Sequence, residues 1–209
     1  MSGGWITLRN AMNKFLLIIC ALCLSVNIFA DKENNEYTID GEGNVVFTHI
    51  LENLSMSKQE IYDAAYKYIS TAYRDTKYRI IKNSAEDGIV AGEGEFVHFH
   101  EANYYPSSYF LNAPIILRVD AKDGRARLSA IVSHYTGTRT NINKREEIHD
   151  RISECPPIGK GDKSDKLYDR RKKLYEKAFV VLSEKVKKTL NEFANSLKAS
   201  RSAATNDDW

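Results

Sequence analysis

The sequence contains little cysteine and little proline, and it has no excess of charge of one sign. Three Cys and four Pro occur in 209 residues, which excludes a disulfide-stapled scaffold and a proline-rich low-complexity protein. The formal net charge is only +2, from 30 Lys and Arg against 28 Asp and Glu. Because phosphate contacts need a clear basic excess, we expect no nucleic-acid partner. The length and the 43% of hydrophobic residues are typical of one globular domain with short appendages.

One apolar run stands out near the N-terminus. It covers Phe15–Leu24, follows the basic residues Arg9 and Lys14, and belongs to a charge-free stretch that ends at Ala30. A membrane span needs roughly 20 apolar residues, whereas a short run between a basic start and a small residue is typical of a secretory signal peptide. Residues 1–30 are therefore predicted to be a signal peptide. We expect export to the periplasm or the extracellular space, with no integral membrane segment after cleavage.

The two cysteines of this run are not typical lipidation sites. Cys20 follows Ile19 and Cys23 follows Leu22, whereas a bacterial lipoprotein cysteine follows a small residue. Removal of residues 1–30 would leave 28 basic and 28 acidic residues and a single cysteine, Cys155. An internal disulfide is then excluded, so the stability of the exported chain must come from its hydrophobic core.

The rest of the chain alternates between strand and helix patterns. Residues 31–39 are a polar, flexible leader, and Val, Ile and Phe are frequent in the strand predicted over residues 44–54. Ser57 and Glu60 have the spacing of a capping box, and apolar residues at helical spacing predict a helix from there to about Arg74. A second amphipathic pattern predicts a closing helix from Leu167 to Leu197, followed by a frayed tail over 200–209.

Between the two helices lie two predicted hairpins. Their strands are predicted over residues 77–83 with 88–101, and over 114–120 with 125–135, and each pair is joined by an Asp-Gly turn. Residues 103–112 are predicted to be an aromatic, Pro-containing connection. Residues 136–165 are polar, contain Pro156-Pro157, and are predicted to form a long loop, a type of segment that is usually functional or disordered.

These elements predict a single α+β domain over residues 40–199. The expected order is β-α-β-β-β-β-α, with an antiparallel sheet and both helices on one face, because that arrangement buries both apolar stripes.

Four short segments, in this order, resemble an uncharacterised family of exported bacterial proteins, a domain of unknown function with a TBP-like (TATA-binding-protein-like) fold. They are Gly43-Asn44-Val45-Val46-Phe47, Ser57-Lys58-Gln59-Glu60-Ile61-Tyr62, Gly88-Ile89-Val90-Ala91-Gly92-Glu93-Gly94 and Pro114-Ile115-Ile116-Leu117-Arg118-Val119. The resemblance implies that fold and brings no catalytic residue with it.

Two histidines are the first candidate site. His98 and His100 alternate with apolar residues on a predicted strand, so we expect both imidazoles on one face of the sheet. Two such nitrogens can bind a metal if a third ligand, such as His134, joins them. The ordinary alternative is a polar sheet face, and we expect no metal at these residues. Glu93 and Glu95 also share a face, as a carboxylate pair would, or as exposed strand glutamates often do.

Tyrosines are the second candidate site. Tyr104, Tyr105 and Tyr109 crowd the predicted 103–112 connection, and tyrosine combines a flat apolar ring with a hydrogen-bonding hydroxyl, as binding surfaces require. The alternative is that these rings cover the edge of the core. The sequence contains no phosphate-binding loop, because Gly92-Glu93-Gly94-Glu95 lacks a following Lys-Ser or Lys-Thr, and we expect no cofactor.

The sequence favours an exported, non-catalytic module of the cell envelope that binds a protein, glycan or small-molecule partner. The binding surface would include Tyr104, Tyr105, Tyr109, His98 and His100. One alternative is a metal-dependent or carboxylate-based hydrolase that uses His98 and His100. Another is a structural domain of an envelope assembly that makes contact through the 136–165 loop.

We predict that the exported protein starts at Asp31, directly after Ala30, and carries no lipid. N-terminal sequencing and the intact mass of the secreted protein test both statements. Retention of residues 15–24, or an acyl group on Cys20 or Cys23, would contradict them.

Overall fold

The computed structural model describes residues 37–71 and 79–204, with side chains described as far as Ser200. These residues form eight strands, two α-helices and one short 3-10 helix over Ile152–Glu154. The strands are β1 (Thr38–Ile39), β2 (Val45–Leu51), β3 (Arg79–Ser84), β4 (Ile89–Tyr104), β5 (Ser107–Lys122), β6 (Arg125–Val132), β7 (His134–Asn141) and β8 (Lys144–Arg151). The helices are α1 (Lys58–Thr71) and α2 (Tyr168–Ala204).

The capping box at the start of α1 is present. The Ser57 backbone N–H donates to Glu60 Oε2 at 2.7 Å, and the Glu60 N–H donates to Ser57 Oγ at 3.3 Å. Two of the amide donors at the start of the helix are thereby satisfied. The predicted end of this helix at about Arg74 lies outside the described residues.

All strand pairs are antiparallel, and most join strands that follow each other along the chain, whereas β2–β6 and β5–β7 do not. The order across the sheet is β1-β2-β6-β5-β4-β3, and β7 pairs with both β5 and β8. The two predicted Asp-Gly hairpins are β3–β4 and β5–β6, which confirms the sequence prediction for these four strands. β5 is the central strand, since it bonds to β4 along one side and to β6 and then β7 along the other.

One face of the sheet is covered by both helices. Every second residue of β5 is buried, including Leu111, Ile115 and Leu117. α1 contacts β4, β5 and β6, α2 contacts β2, β4 and β6, and the two helices contact each other. The predicted α+β class, with an antiparallel sheet and helices on one face, is confirmed. We call the opposite side of the sheet the open face.

The predicted connection over residues 103–112 is wrong. β4 continues to Tyr104 and β5 begins at Ser107, so only Tyr105 and Pro106 form the turn. The alternation of buried and half-buried residues from Ser107 onward shows that the aromatic residues continue the strand pattern. Pro106 lies in the turn, where its missing N–H removes no ladder hydrogen bond.

The predicted loop over residues 136–165 is also wrong in its first half. Residues His134–Asn141 and Lys144–Arg151 form the hairpin β7–β8, which adds two strands to the predicted order. The polar composition concealed this hairpin, because β8 is an edge strand whose side chains alternate between exposed and half-buried. An edge strand with many charged residues is a common way to prevent pairing with another chain.

The sheet is irregular at the middle of β5. On one side, the three residues Val97–Phe99 of β4 lie opposite the single residue Asn112. On the other side, the partner of β5 changes from β6 to β7. The last β6 pair is Ile116 with Ile131, and the first β7 pair is Asn112 with Thr136. Between these two pairs, residues 132–135 lie opposite the three residues 113–115 of β5. Pro114 lies at this passage, where the ladder is already interrupted, which explains why a central strand tolerates it.

The ends of the chain are only partly described. α2 continues past the predicted tail boundary at Ser200 as far as Ala204, and residues 205–209 lie outside the described residues. The predicted signal peptide and residues 31–36 of the predicted leader also lie outside them. The end of that leader is not a flexible segment, because Thr38–Ile39 form β1 and pair with β2. None of the described helices has an apolar stretch long enough to cross a membrane.

Candidate functional site

His98 and His100 do not share a face, contrary to the sequence prediction. The bulge in β4 reverses the alternation, so His98 is exposed on the open face, where its ring lies 5.9 Å from that of Phe110. Its backbone has a φ of 45°, and its N–H donates to Asn112 Oδ1 at 2.7 Å. His100 pairs with Leu111 and therefore faces the core.

The half-buried His100 has no hydrogen-bond partner for its Nε2 atom. Burial lowers the pKa of this imidazole, and the nearby Lys177 ammonium on α2 lowers it further. Both effects favour the neutral ring. His100 is therefore a core residue at the α2 side of the sheet, separated from His98 by the sheet itself.

The three predicted tyrosines separate into two groups. Tyr109 is 2% exposed and its ring contacts that of Tyr104 at 6.0 Å, so these two residues cover the edge of the core, as in the ordinary alternative. Tyr105 is 86% exposed at the β4–β5 turn. Only Tyr105 remains available for a surface contact.

His134 lies on the open face with a neighbour that the sequence analysis missed. The ring centroids of His134 and His149 are 4.2 Å apart, because β7 and β8 pair at this level. Burial, followed by the nearby His149, lowers the pKa of His134, whereas the Glu95 carboxylate acts in the opposite direction. Within residues 37–71 and 79–204, no group of three His, Cys, Asp or Glu residues is arranged to hold a metal ion.

The two glutamates of β4 have separate partners. Glu93 forms an ion pair with Arg79 at 3.0 Å, and Glu95 Oε1 accepts a hydrogen bond from Thr136 Oγ1 at 3.2 Å. The structure therefore gives the carboxylate pair no shared substrate position.

A cavity of about 210 Å³ lies between β8 and the start of α2, and we call it the β8–α2 cavity. It includes the second half of the segment predicted to be a loop. Its walls contain charged and aromatic side chains, among them Asp150, Arg151, Glu154, Tyr168, Arg171 and Tyr175.

The segment that closes this cavity is tightly folded by its own backbone. The Gly159 N–H donates to the Cys155 carbonyl at 2.7 Å, and the Gly161 N–H donates to the Glu154 carbonyl at 3.0 Å. A Cβ atom on Gly159 would lie 2.3 Å from the Glu154 carbonyl, so only glycine fits there. Asp165 lies in the turn before α2, where its Oδ1 accepts the Leu167 N–H at 2.9 Å.

Two pairs of polar groups contact each other in the walls of the cavity. The Tyr175 hydroxyl donates to Asp150 Oδ2, and Arg171 Nε lies 3.2 Å from Asp165 Oδ2. Burial, with the nearby Asp150 and Glu154 carboxylates, raises the pKa of the Cys155 thiol to about 12. This thiol is protonated at neutral pH and is a poor nucleophile.

This cavity was not predicted, because none of its residues belongs to a recognisable sequence motif. Two signals were present, however. Cys155 is a lone cysteine in a polar segment, and Tyr168 and Tyr175 have the spacing that places both on one face of a helix, two turns apart.

The fold is shared with a solved structure. No family model matches the chain, and no curated protein matches it. The chain is similar to a TBP-like protein from Parabacteroides distasonis ATCC 8503, with 11% identity, 77% of this chain and 96% of the other covered, and a TM-score of 0.52. It also matches a DUF4468 family protein from Bacteroides ovatus ATCC 8483, with 17% identity, coverage of 72% and 90%, and a TM-score of 0.39. The first match confirms the TBP-like fold, and at this identity it says nothing of function.

We predict that the domain loses stability as the pH falls from about 7 to about 5, because an unfolded histidine titrates near 6.5. The pKa values of His100 and His134 are lowered in the folded state, so in this window the unfolded chain binds more protons. The free energy of unfolding therefore decreases as the pH falls. Urea unfolding at a series of pH values measures this free energy.

The variant His100→Gln should flatten this pH dependence. His98→Gln is the matched control, because His98 lies two residues away and is exposed. Equal slopes for the two variants and the parent protein would show that His100 does not contribute.

Proposed function

We propose that this chain is an exported, non-catalytic binding domain that holds a small polar ligand in the β8–α2 cavity. The observation that supports this proposal is the cavity itself, which has charged groups of both signs and two tyrosine rings in its walls. A concave site with a few placed polar groups is the usual form of a small-molecule site.

The size of the cavity limits the ligand. Its volume of about 210 Å³ is smaller than the roughly 300–1,000 Å³ of sites for drug-sized molecules. A ligand of the size of an amino acid or a monosaccharide fits this volume. Arg171 would bind a negatively charged group of the ligand and Glu154 a positively charged one. The rings of Tyr168 and Tyr175 would contact an apolar part of the ligand.

The chemistry of the walls favours binding without catalysis. The Cys155 thiol is kept protonated by its surroundings, and burial with the Asp150 carboxylate raises the pKa of the Tyr175 phenol. Neither group is activated as a nucleophile or a base. The hydrolase hypothesis needs His98 and His100 on one face, and their separation favours the binding hypothesis.

The predicted signal peptide supports an envelope or extracellular location for this binding domain. The alternative of a structural domain in an envelope assembly used residues 136–165 as a contact loop. That segment is half hairpin and half cavity wall, which favours ligand binding.

A thermal-shift screen with amino acids, monosaccharides and dicarboxylates tests the proposal. A ligand that binds only the native state raises the free energy of unfolding by RT ln(1 + L/Kd), where L is the free ligand concentration, so the Tm rises as that concentration exceeds Kd. Arg171→Gln should weaken binding about tenfold or more, because a hydrogen bond to a charged group contributes roughly 1.5–3 kcal/mol. The fold should survive, since the Arg171–Asp165 pair is partly exposed and such pairs add little stability.

Arg170→Gln is the matched control. Arg170 is the exposed neighbour of Arg171 on α2, and its substitution removes the same charge. Equal weakening by the two variants would place the ligand elsewhere. A screen in which no compound raises the Tm would contradict a small-ligand site.

A further inference from the structure

Two hairpin turns lie side by side at one end of the sheet. β5 pairs with β7 as far as Ser107 and Asn141, so the β4–β5 turn at Tyr105-Pro106 is next to the β7–β8 turn at Ile142-Asn143. We call residues 103–108 and 140–145 the paired tips. Each turn exposes one large apolar side chain, since Tyr105 is 86% exposed and Ile142 is 75% exposed.

The base of the paired tips is well ordered by side-chain contacts. Arg139 lies with its guanidinium carbon 5.9 Å from the Tyr109 ring centroid. Its Nη1 atom is 3.0 Å from Glu146 Oε2, and its Nε donates to Ser107 Oγ at 3.3 Å. The exposed residues are therefore presented on a rigid support, which reduces the entropy cost of binding.

The charge of the paired tips has one sign. Among residues 103–108 and 140–145, the only charged residues are Lys144 and Arg145. Lys144 Nζ lies 2.8 Å from Glu146 Oε1, just behind the tip. The other residues of the tips are Asn, Ser, Thr, Tyr, Pro and Ile, so no carboxylate belongs to the tips themselves.

The turns at the opposite end of the sheet are acidic and contact a helix. They contain Glu86, Asp87 and Asp123, and they contact the start of α1. Asp123 Oδ1 accepts the Lys58 N–H at 2.7 Å, and the Glu86 carbonyl accepts from Lys58 Nζ at 2.8 Å. Those turns stabilise the fold through their contacts with α1. The contacts of the paired tips do not explain why Tyr105 and Ile142 are exposed.

We propose that the paired tips dock this domain onto the surface of a lipid bilayer that contains anionic lipids. Tyrosine is enriched at the membrane interface, where its ring is apolar and its hydroxyl is hydrated. Apolar side chains flanked by Lys and Arg are the usual composition of interfacial anchors. The side chains of Arg145 and of Lys144, which is also paired with Glu146, complement anionic headgroups, which attract nearby basic residues.

The high exposure of both side chains favours a bilayer over a folded protein. Tyr105 and Ile142 are 86% and 75% exposed, so neither lies in a groove that would receive a side chain of a partner. A bilayer interface adapts to a small insertion. The proposal goes beyond the β8–α2 cavity and does not depend on it.

The test uses the chain from Asp31 to Trp209, because the apolar run of residues 15–24 would itself bind lipid. This form retains the hydrophobic core of the residues that the structure describes, in which every buried residue lies between Val45 and Leu197. Co-sedimentation is measured with vesicles of phosphatidylethanolamine and phosphatidylglycerol, and with vesicles of phosphatidylcholine alone. We expect binding to the anionic vesicles that weakens as salt is added.

The variant Tyr105→Ser with Ile142→Ser removes both apolar anchors. We expect the partition coefficient to fall about tenfold for each anchor that is removed, and therefore about a hundredfold in the double variant. A factor of ten corresponds to a loss of roughly 1.4 kcal/mol of binding free energy. Ile50→Ser is the matched control, because Ile50 is 60% exposed on β2 and undergoes the same change. It should bind as the parent protein does. Thermal melts of all variants verify that they are folded.

Insertion itself is measured with Tyr105→Trp in a Trp209→Phe background. Its fluorescence should shift to the blue on anionic vesicles and be quenched by lipids brominated on the acyl chain. An absence of vesicle binding by the parent protein, or equal binding by the double serine variant, would overturn the proposal. Self-association that the double variant abolishes, without vesicle binding, would identify the tips as a contact between two copies instead.

Discussion

Burial of alternate side chains along β5 beneath the two helices is the interaction on which the other elements depend. Leu111, Ile115 and Leu117 are at most 1% exposed, and each buried side chain of this kind contributes roughly 1.5–3 kcal/mol. Because side chains alternate along a strand, this burial also fixes which residues reach the open face. It sets the register of β4, β6 and β7, and through β7 that of β8.

The same strand explains why the candidate functional features occur where they do. Near Asn112 and Pro114, β4 bulges on one side and the ladder passes from β6 to β7 on the other. β7 and β8 then continue past the end of β6, so β8 meets the start of α2 and closes a cavity. The same continuation carries the β7–β8 turn to the β4–β5 turn at the end of the sheet. Ligand binding and membrane docking would thus use separate parts of one hairpin.

Local patterns predicted most of the fold. The capping box at Ser57, the Asp-Gly turns and the apolar stripe of α2 each depend on neighbouring residues alone, so the sequence is sufficient to identify them. The β4 bulge depends on Asn112 of the next strand, which accepts the His98 N–H. No local pattern around His98 contains that information, and the prediction of a shared face for His98 and His100 failed for this reason.

The β7–β8 hairpin and the cavity escaped prediction for a related reason. β8 has only one strand neighbour among the described elements, so its sequence lacks the apolar alternation by which strands are recognised. Tyr104, Tyr105 and Tyr109 were predicted together in one connection, whereas the burial of Tyr109 depends on the pairing of β5 with β4 and β7. Tyr105 differs from them only in its position at the turn.

Native-state hydrogen exchange tests the central role of β5 most directly. Amides of residues 116–119, which lie between β4 and β6, should exchange only through global unfolding, at the full free energy of unfolding. Amides of β8 should exchange through smaller openings, because this edge strand has one neighbour. Exchange of the β5 amides as fast as those of β8 would contradict the account, since the other strands could not then depend on β5.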